Sequence, residues 1–167
     1  MQRCGLRDRP ARRTELTAPV DAFDADVLLY AVIDGHPLGR RVRALFPVEP
    51  TTATAAIAGI GSVLLLPELL SKPLRDSASD EVRELIALLS RLDLRPVDLA
   101  TAELATTFGA AHHLRAADAV HLATAVAAGA DRFITNNRSD FSKEIREVDV
   151  VYPDDLPNRP DRPDRAS

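Results

Sequence analysis

Asp24, Glu68, Asp118 and Asp140 are the side chains of this sequence best suited to chemistry, because each lies in or near a segment expected at one end of a sheet. Asp24-Ala25-Asp26 ends the run that begins at Val20, and Glu68 follows Val63-Leu64-Leu65-Leu66. Asp118 opens Asp-Ala-Val-His-Leu-Ala-Thr-Ala, and Asp140 closes Thr-Asn-Asn-Arg-Ser-Asp-Phe. Taken singly, each has an ordinary explanation, since Asp caps helices and closes turns. Brought together, several carboxylates cannot all stay ionised without a neutralising partner. The usual partner is a hard divalent cation, Mg²⁺ or Mn²⁺, which takes oxygen ligands and keeps several waters. Such an ion can activate a water and stabilise charge on a phosphodiester.

The other metal chemistries have little to stand on. Cys4 is the single cysteine, and no His-Glu-x-x-His run is present, so zinc is disfavoured. His112 and His113 are adjacent and face different directions, and His36 sits in a loop. His121 lies three residues after Asp118 on the same helix face, within reach of an acidic site. Its first reading is nevertheless a histidine packed under a sheet.

The elements that must position these residues follow from pattern. Val20–Asp26 reads as a buried strand ending in acids, and Val27–Ile33 as the start of a helix stopped by Gly35 and Pro37. Leu38–Phe46 has helical spacing. Thr51–Leu66 reads as a strand that turns into a helix after Gly61-Ser62, with Pro67 in a first turn or at a kink. Ser79–Leu92 is an amphipathic helix capped by Ser79 or Asp80. Leu92–Val97 is a short strand, and Asp98–His113 and Ala116–Ala128 are helices, the second closing on Gly129. Asp131–Thr135 and Glu147–Tyr152 are strands. Short strands alternating with helices predict an α/β fold, a central, mainly parallel β-sheet flanked by helices. Ligands of such sheets collect at the carboxyl ends of the strands.

Three blocks, in this order and at these distances, carry a family likeness: FDADVLLY, GSVLLLPELL and AADAVHLATAVAAGADRFITNNRSDF. From about Val20 to Tyr152 the chain resembles the PIN domain, and within it the VapC-type toxins. The third block is the most specific. The resemblance implies a single PIN-like α/β domain and a Mg²⁺- or Mn²⁺-dependent endoribonuclease that acts on structured RNA such as tRNA. It further implies a cognate antitoxin and a homodimer. Carried over by position, the family acids fall on Asp24, Glu68 and Asp118. At the fourth the chain departs. Many members read Thr-Asn-Asp where this one reads Thr135-Asn136-Asn137, so Asp140 is the candidate to supply that charge. Asp26 also stands where the family commonly has Asn or Ser. Two readings stay open: charge relocated within the site to Asp26 and Asp140, or a weakened metal site. Asp26, Thr135, Asn136 and Asn137 would support the ligands and the attacking water from behind.

A phosphate backbone held near acids needs a basic rim. Arg115 and Arg138 flank the acidic centre and are the candidate RNA contacts; Arg40, Arg41 and Arg43 follow the first helical region. The rivals to a nuclease are a PIN-fold RNA- or partner-binding protein impaired by Asn137, and a haloacid dehalogenase-type phosphatase built on Phe-Asp24-Ala-Asp26. The second rival lacks a suitable lysine, Lys72 and Lys143 being the only two.

Composition sets the frame. The 167 residues are 46% hydrophobic and 28% charged with a mean hydropathy of −0.09, which excludes wholesale disorder. With 26 alanines, no Trp and 4% aromatics, the core is expected to be Ala, Leu and Val. Residues 1–19 carry a net +3 and read as a disordered basic leader, or as sequence upstream of a mis-set start. Residues 20–153, the expected domain, carry 19 acids against 13 bases; the Pro-, Asp- and Arg-rich stretch 154–167 is expected to be a flexible tail. An acidic body argues against a generic nucleic-acid binder, unless part of that charge belongs to one metal pocket. No apolar stretch is long enough to span a membrane and the leader lacks an apolar core, so a cytoplasmic location is expected.

Overall fold

Strand β1, Asp21–Phe23, is the central strand of a five-stranded, wholly parallel sheet. The computed structural model describes residues 18–46 and 57–158. After β1 come helices α1 (Ala25–Val32) and α2 (Pro37–Arg43), strand β2 (Gly59–Ser62), and helices α3 (Leu65–Arg75) and α4 (Ser79–Leu89). Strand β3 (Leu92–Arg95) leads to α5 (Leu99–His112) and α6 (Ala116–Ala127). The chain then forms β4 (Arg132–Ile134), β5 (Asp149–Val151) and a single 3-10 turn at Pro153–Asp155. The strand order is β3-β2-β1-β4-β5, so the chain winds outward from β1 to one edge and then crosses back to lie on its other side.

Alternation along each strand divides the core. Ala22 and Phe133 face a cluster with Phe108 of α5 and Ala119, Leu122, Ala123 and Ala125 of α6. Their neighbours Phe23 and Ile134 face the opposite cluster, with Val27 and Leu28 of α1, Val42 of α2, Leu65 and Leu69 of α3, and Leu85 of α4. Two helices therefore cover one face and four the other. The expected Ala, Leu and Val core is enlarged by aromatics: all five phenylalanines are buried, with Phe133 and Phe141 edge to face at 4.9 Å. Small residues set the closest approaches. A Cβ on Gly39 would run into the Tyr30 carbonyl, so glycine is what lets α2 lie against α1.

At the amino end of the sheet, Arg132 makes a two-pronged pair with the buried Asp21, Nε to Oδ1 at 2.7 Å and Nη2 to Oδ2 at 2.9 Å. The two residues are register partners on β4 and β1. Arg132→Met leaves a buried carboxylate unpaired and is expected to cost about 2 kcal/mol in urea unfolding, less than a fully buried pair because Arg132 is partly exposed.

Several boundaries differ from the expectations. The strand expected over Val20–Asp26 stops at Phe23, because Asp24 accepts from the Ala25 N–H at 2.8 Å and starts a helix instead. Neither Ser79 nor Asp80 caps α4; the cap position is Ala78, and Asp80 pairs with Arg83. Pro67 lies in the first turn of α3, where a missing N–H costs nothing. Residues 51–56, 1–17 of the leader and 159–167 of the tail lie outside the described residues. The first residues past 153 are held in place. Arg41 donates to the carbonyls of Asp154 and Leu156, Lys143 pairs with Asp155, and the Tyr152 hydroxyl donates to the Phe141 carbonyl.

His36 opens α2 as its N-cap, its Nδ1 accepting from the Gly39 N–H at 3.1 Å while its ring stacks on Tyr30. His36→Ala is expected to destabilise the protein by about 1 kcal/mol and His36→Asn by clearly less, as read from denaturant midpoints.

Candidate active site

Strand order reverses between β1 and β4, and the crevice beyond their carboxyl ends is where an open parallel sheet places ligands. Five acids meet there. Asp24 follows β1 as the N-cap of α1, and Asp26 sits in the first turn of that helix. Glu68 is in the first turn of α3 and Asp118 in the first turn of α6. Asp140 arrives on the loop after β4. Helix N-termini carry partial positive charge, so three helices begin where the acids gather and offset part of their repulsion.

Each carboxylate has a different neighbour. Asp24 is buried and accepts from the Thr135 hydroxyl at 2.7 Å, while Thr135, also buried, accepts from the Asn137 N–H. Asp26 accepts from the Asn136 N–H at 3.1 Å, which ties the start of α1 to the end of β4. The Asn137 side-chain amide donates to Asp140 at 2.8 Å and its oxygen accepts from Ser139. Glu68 meets His121 Nε2 at 2.7 Å. Asp118 has no hydrogen-bond partner among the described residues. It lies at the third residue of α6, after a cap position held by Arg115, so it does not cap the helix as its ordinary reading had it.

The electrostatics report the crowding. Burial pushes the Asp24 carboxyl above the ordinary 3.8; His121, Thr135 and the Ala25 N–H pull it back, and Glu68 adds to the rise. Asp26 is raised to about 7 by burial and by the charge of Asp24, with Asp118 contributing. Asp118 is raised by burial, then by Asp24 and Asp140. For His121, burial pulls downward as the largest influence. The bond to Glu68 and the charges of Asp24, Glu68 and Asp118 together outweigh it and leave the ring above 6.5. Asp24 acts on each of the other three groups, and Asp118 on Asp26 and His121, which ties them into one electrostatic unit.

Among the described residues, no three of the acidic, histidine or cysteine side chains form a ready-made cage for a metal ion. The donor chemistry still fits a hard cation. The cluster is all oxygen apart from His121, it is short of positive charge, and Mg²⁺ needs only one or two carboxylates beside its waters. Asp118, with neither oxygen hydrogen-bonded among the described residues, and Asp24, held by Thr135, are the residues suited to bind first.

The structure brings Asp24, Asp26, Glu68, Asp118 and Asp140 together with Thr135, Asn136 and Asn137. The arginines are less uniform. Arg115 is exposed at the start of α6, beside the acids. Arg138 instead pairs with Asp154 at 2.6 Å and lies over the Tyr152 ring. Arg41 and Arg43 serve the fold, Arg43 donating to the carbonyls of Ala31 and Ile33 at the end of α1. His121 does more than pack under the sheet: its Nε2 meets Glu68 in the site. Its three-residue spacing from Asp118 is the sequence signal that it shares the site.

The fold has counterparts among solved structures. A toxin-antitoxin complex from Klebsiella pneumoniae contains a chain 21% identical, with a TM-score of 0.60, covering 80% of this chain and 97% of that one. VapBC2 from Rickettsia felis, bound to a DNA fragment from its promoter, contains one 18% identical with a TM-score of 0.57, covering 80% and 98%. No curated protein sequence matches. Residues 22–144 match the PIN domain family, a span that takes in all five acids and every strand but β5, and the chain belongs to that family.

Proposed function

We propose that this PIN domain is a Mg²⁺- or Mn²⁺-dependent endoribonuclease and the toxin of a type II toxin-antitoxin pair. The observation that carries the reading is the gathering of Asp24, Asp26, Glu68, Asp118 and Asp140 into one electrostatic unit at the β1/β4 switch point. Structural likeness to chains of toxin-antitoxin complexes supports the second half, including an antitoxin partner. An RNA substrate puts the site of action in the cytoplasm. Among the described residues no helix is long and apolar enough to cross a membrane. Leu66, Leu74 and Ile86 stand exposed on α3 and α4, apolar surface suited to an antitoxin or a second copy of the chain.

In this mechanism Asp24, Glu68, Asp118 and Asp140 would hold the ion, directly or through water. The ion supplies a water of lowered pKa and charge stabilisation for a phosphodiester. The protein supplies the arrangement. Thr135 fixes the rotamer of Asp24 from behind, and Asp26 anchors the Asn136 N–H so that the loop after β4 keeps its place. Asn137, an amide where many relatives carry an acid, holds Asp140 and so passes the fourth charge three residues on. Arg115, exposed and without a side-chain partner among the described residues, is placed to meet a phosphate at the rim; Arg138 must first leave Asp154, an exposed pair that is worth little.

The phosphatase alternative finds no lysine. Lys72 pairs with Asp76 and Lys143 with Asp155, both in exposed positions. The binding-protein alternative needs Asn137 to leave the site short of charge, whereas the amide draws Asp140 in. The test is incubation of a mixed RNA pool with purified protein in Mg²⁺, Mn²⁺ or chelator, beside Asp24→Asn. Cleavage by the wild type alone, lost with chelator, is expected. RNA left equally intact by both proteins in either metal would defeat the nuclease reading.

A further inference from the structure

We infer that His121 is a positioning residue that acts through Glu68, holding its carboxylate in the acidic cluster; the inference rests on the metal-site reading above. Glu68 needs such a hold. It is a third exposed, on a long side chain, in the first turn of a helix that otherwise offers it no partner among the described residues. Left alone, it would spend its ordering entropy on reaching the cluster. His121 is 3% exposed in the middle of α6, and so arrives with little freedom left to lose.

Two observations say that the ring's polar function is directed at Glu68. The Nε2 contact is short, 2.7 Å, and it crosses between α6 and α3. At the same time Nδ1 is buried without a hydrogen-bond partner among the described residues. A histidine kept only for packing would more cheaply be apolar, since a buried ring nitrogen without a partner is costly. The one bond the ring makes is to a candidate ligand, and Asp118 projects from the same face of α6 one turn earlier. Orientation of a ligand from behind by a second hydrogen-bonding side chain is a general feature of metal centres, and its loss weakens metal affinity by roughly 10- to 100-fold.

The test is Mn²⁺ binding by calorimetry to the full chain, as wild type, Glu68→Gln, His121→Met and the double variant, with thermal unfolding of the metal-free proteins recorded beside it. The expected result is that His121→Met weakens Mn²⁺ binding about as much as Glu68→Gln, roughly tenfold or more, and that the double variant is no weaker than either single one. His121→Gln, which places an amide nitrogen near the Nε2 position, is expected to keep most of the affinity, and His121→Asn is not. Should His121→Met fail to fold, the Gln and Asn pair decides in the same way. Unchanged or tighter binding in His121→Met overturns the inference, as do additive losses in the double variant or equal losses for Gln and Asn. A wild type that takes up no Mn²⁺ overturns the metal-site reading as well; Mn²⁺ uptake that depends on Glu68 but not on His121 overturns the positioning role alone.

Discussion

Asp118→Asn is expected to lower metal-dependent RNA cleavage by about a thousandfold or more while raising the unfolding temperature of the metal-free protein at pH 8. The two effects have one cause. Asp118 has no hydrogen-bond partner among the described residues, and its carboxyl is raised by burial and by the charges of Asp24 and Asp140. Ionised, it is a source of repulsion that the fold tolerates. A ligand whose loss removes several kcal/mol of charge stabilisation costs about three powers of ten in rate. The neutral amide, nearly the same size, removes the repulsion and leaves α6 intact, because its cap position is Arg115. Gain in stability with loss of function is the expected signature of an active-site charge. Expression of the variant should also relieve any growth inhibition caused by the wild type. A variant that loses stability and keeps cleavage would remove Asp118 from the site.

The second large effect is on pH. Asp24, Asp26 and Asp118 all bind a proton more tightly in the folded chain than in the unfolded one, and so does His121. Stability from a raised pKa is fully present below the unfolded value and is lost as pH rises through the folded value. All four shifts therefore act in one direction. For Asp26 the window runs from about 4 to about 7. That span corresponds to at most about 4 kcal/mol, and partial exposure of the carboxylate reduces the expected share to about 2 kcal/mol. Metal-free protein is expected to lose thermal stability steadily between pH 5 and pH 8. Asp26→Asn, which keeps an acceptor for the Asn136 N–H, should flatten the slope, and saturating Mn²⁺ should do so more strongly by favouring the ionised carboxylates. A wild-type profile that is flat or rising over this range contradicts the repulsion argument.

How much of this was legible in the sequence varies with the physics involved. The parallel α/β sheet could be read because short β-branched runs alternate with helical periods, and Gly129 marks a helix end by its own conformational preference. Strand lengths were less legible. Val20–Asp26 has the composition of one strand, but the capping bond of Asp24 ends it at Phe23, a tertiary choice between ladder and helix. The aromatic share of the core was hidden by a low count, although burial of all five phenylalanines shows that position matters more than number.

For the site, residue type and order pointed to the acids, but not to their partners. Nothing in Asn137 itself says that its amide holds Asp140, and nothing in His121 says that it reaches across to Glu68, because both depend on where α3 and the loop after β4 are set by the sheet. Arg138 shows the converse. Its place in the sequence beside the acids suggested an RNA contact, while the fold directs it to Asp154 and Tyr152, residues whose closeness no local pattern encodes.

In the proposed reaction the carboxylate cluster hydrolyses RNA with water as the nucleophile. The most direct measurement is mass spectrometry of the product ends after cleavage in ¹⁸O-labelled water with Mg²⁺ or Mn²⁺. Linear phosphomonoester ends carrying one solvent oxygen are expected from the wild type and not from Asp24→Asn. Cyclic 2′,3′-phosphate ends without label, which arise by attack of the neighbouring hydroxyl, or RNA left intact in both metals, would contradict that reaction.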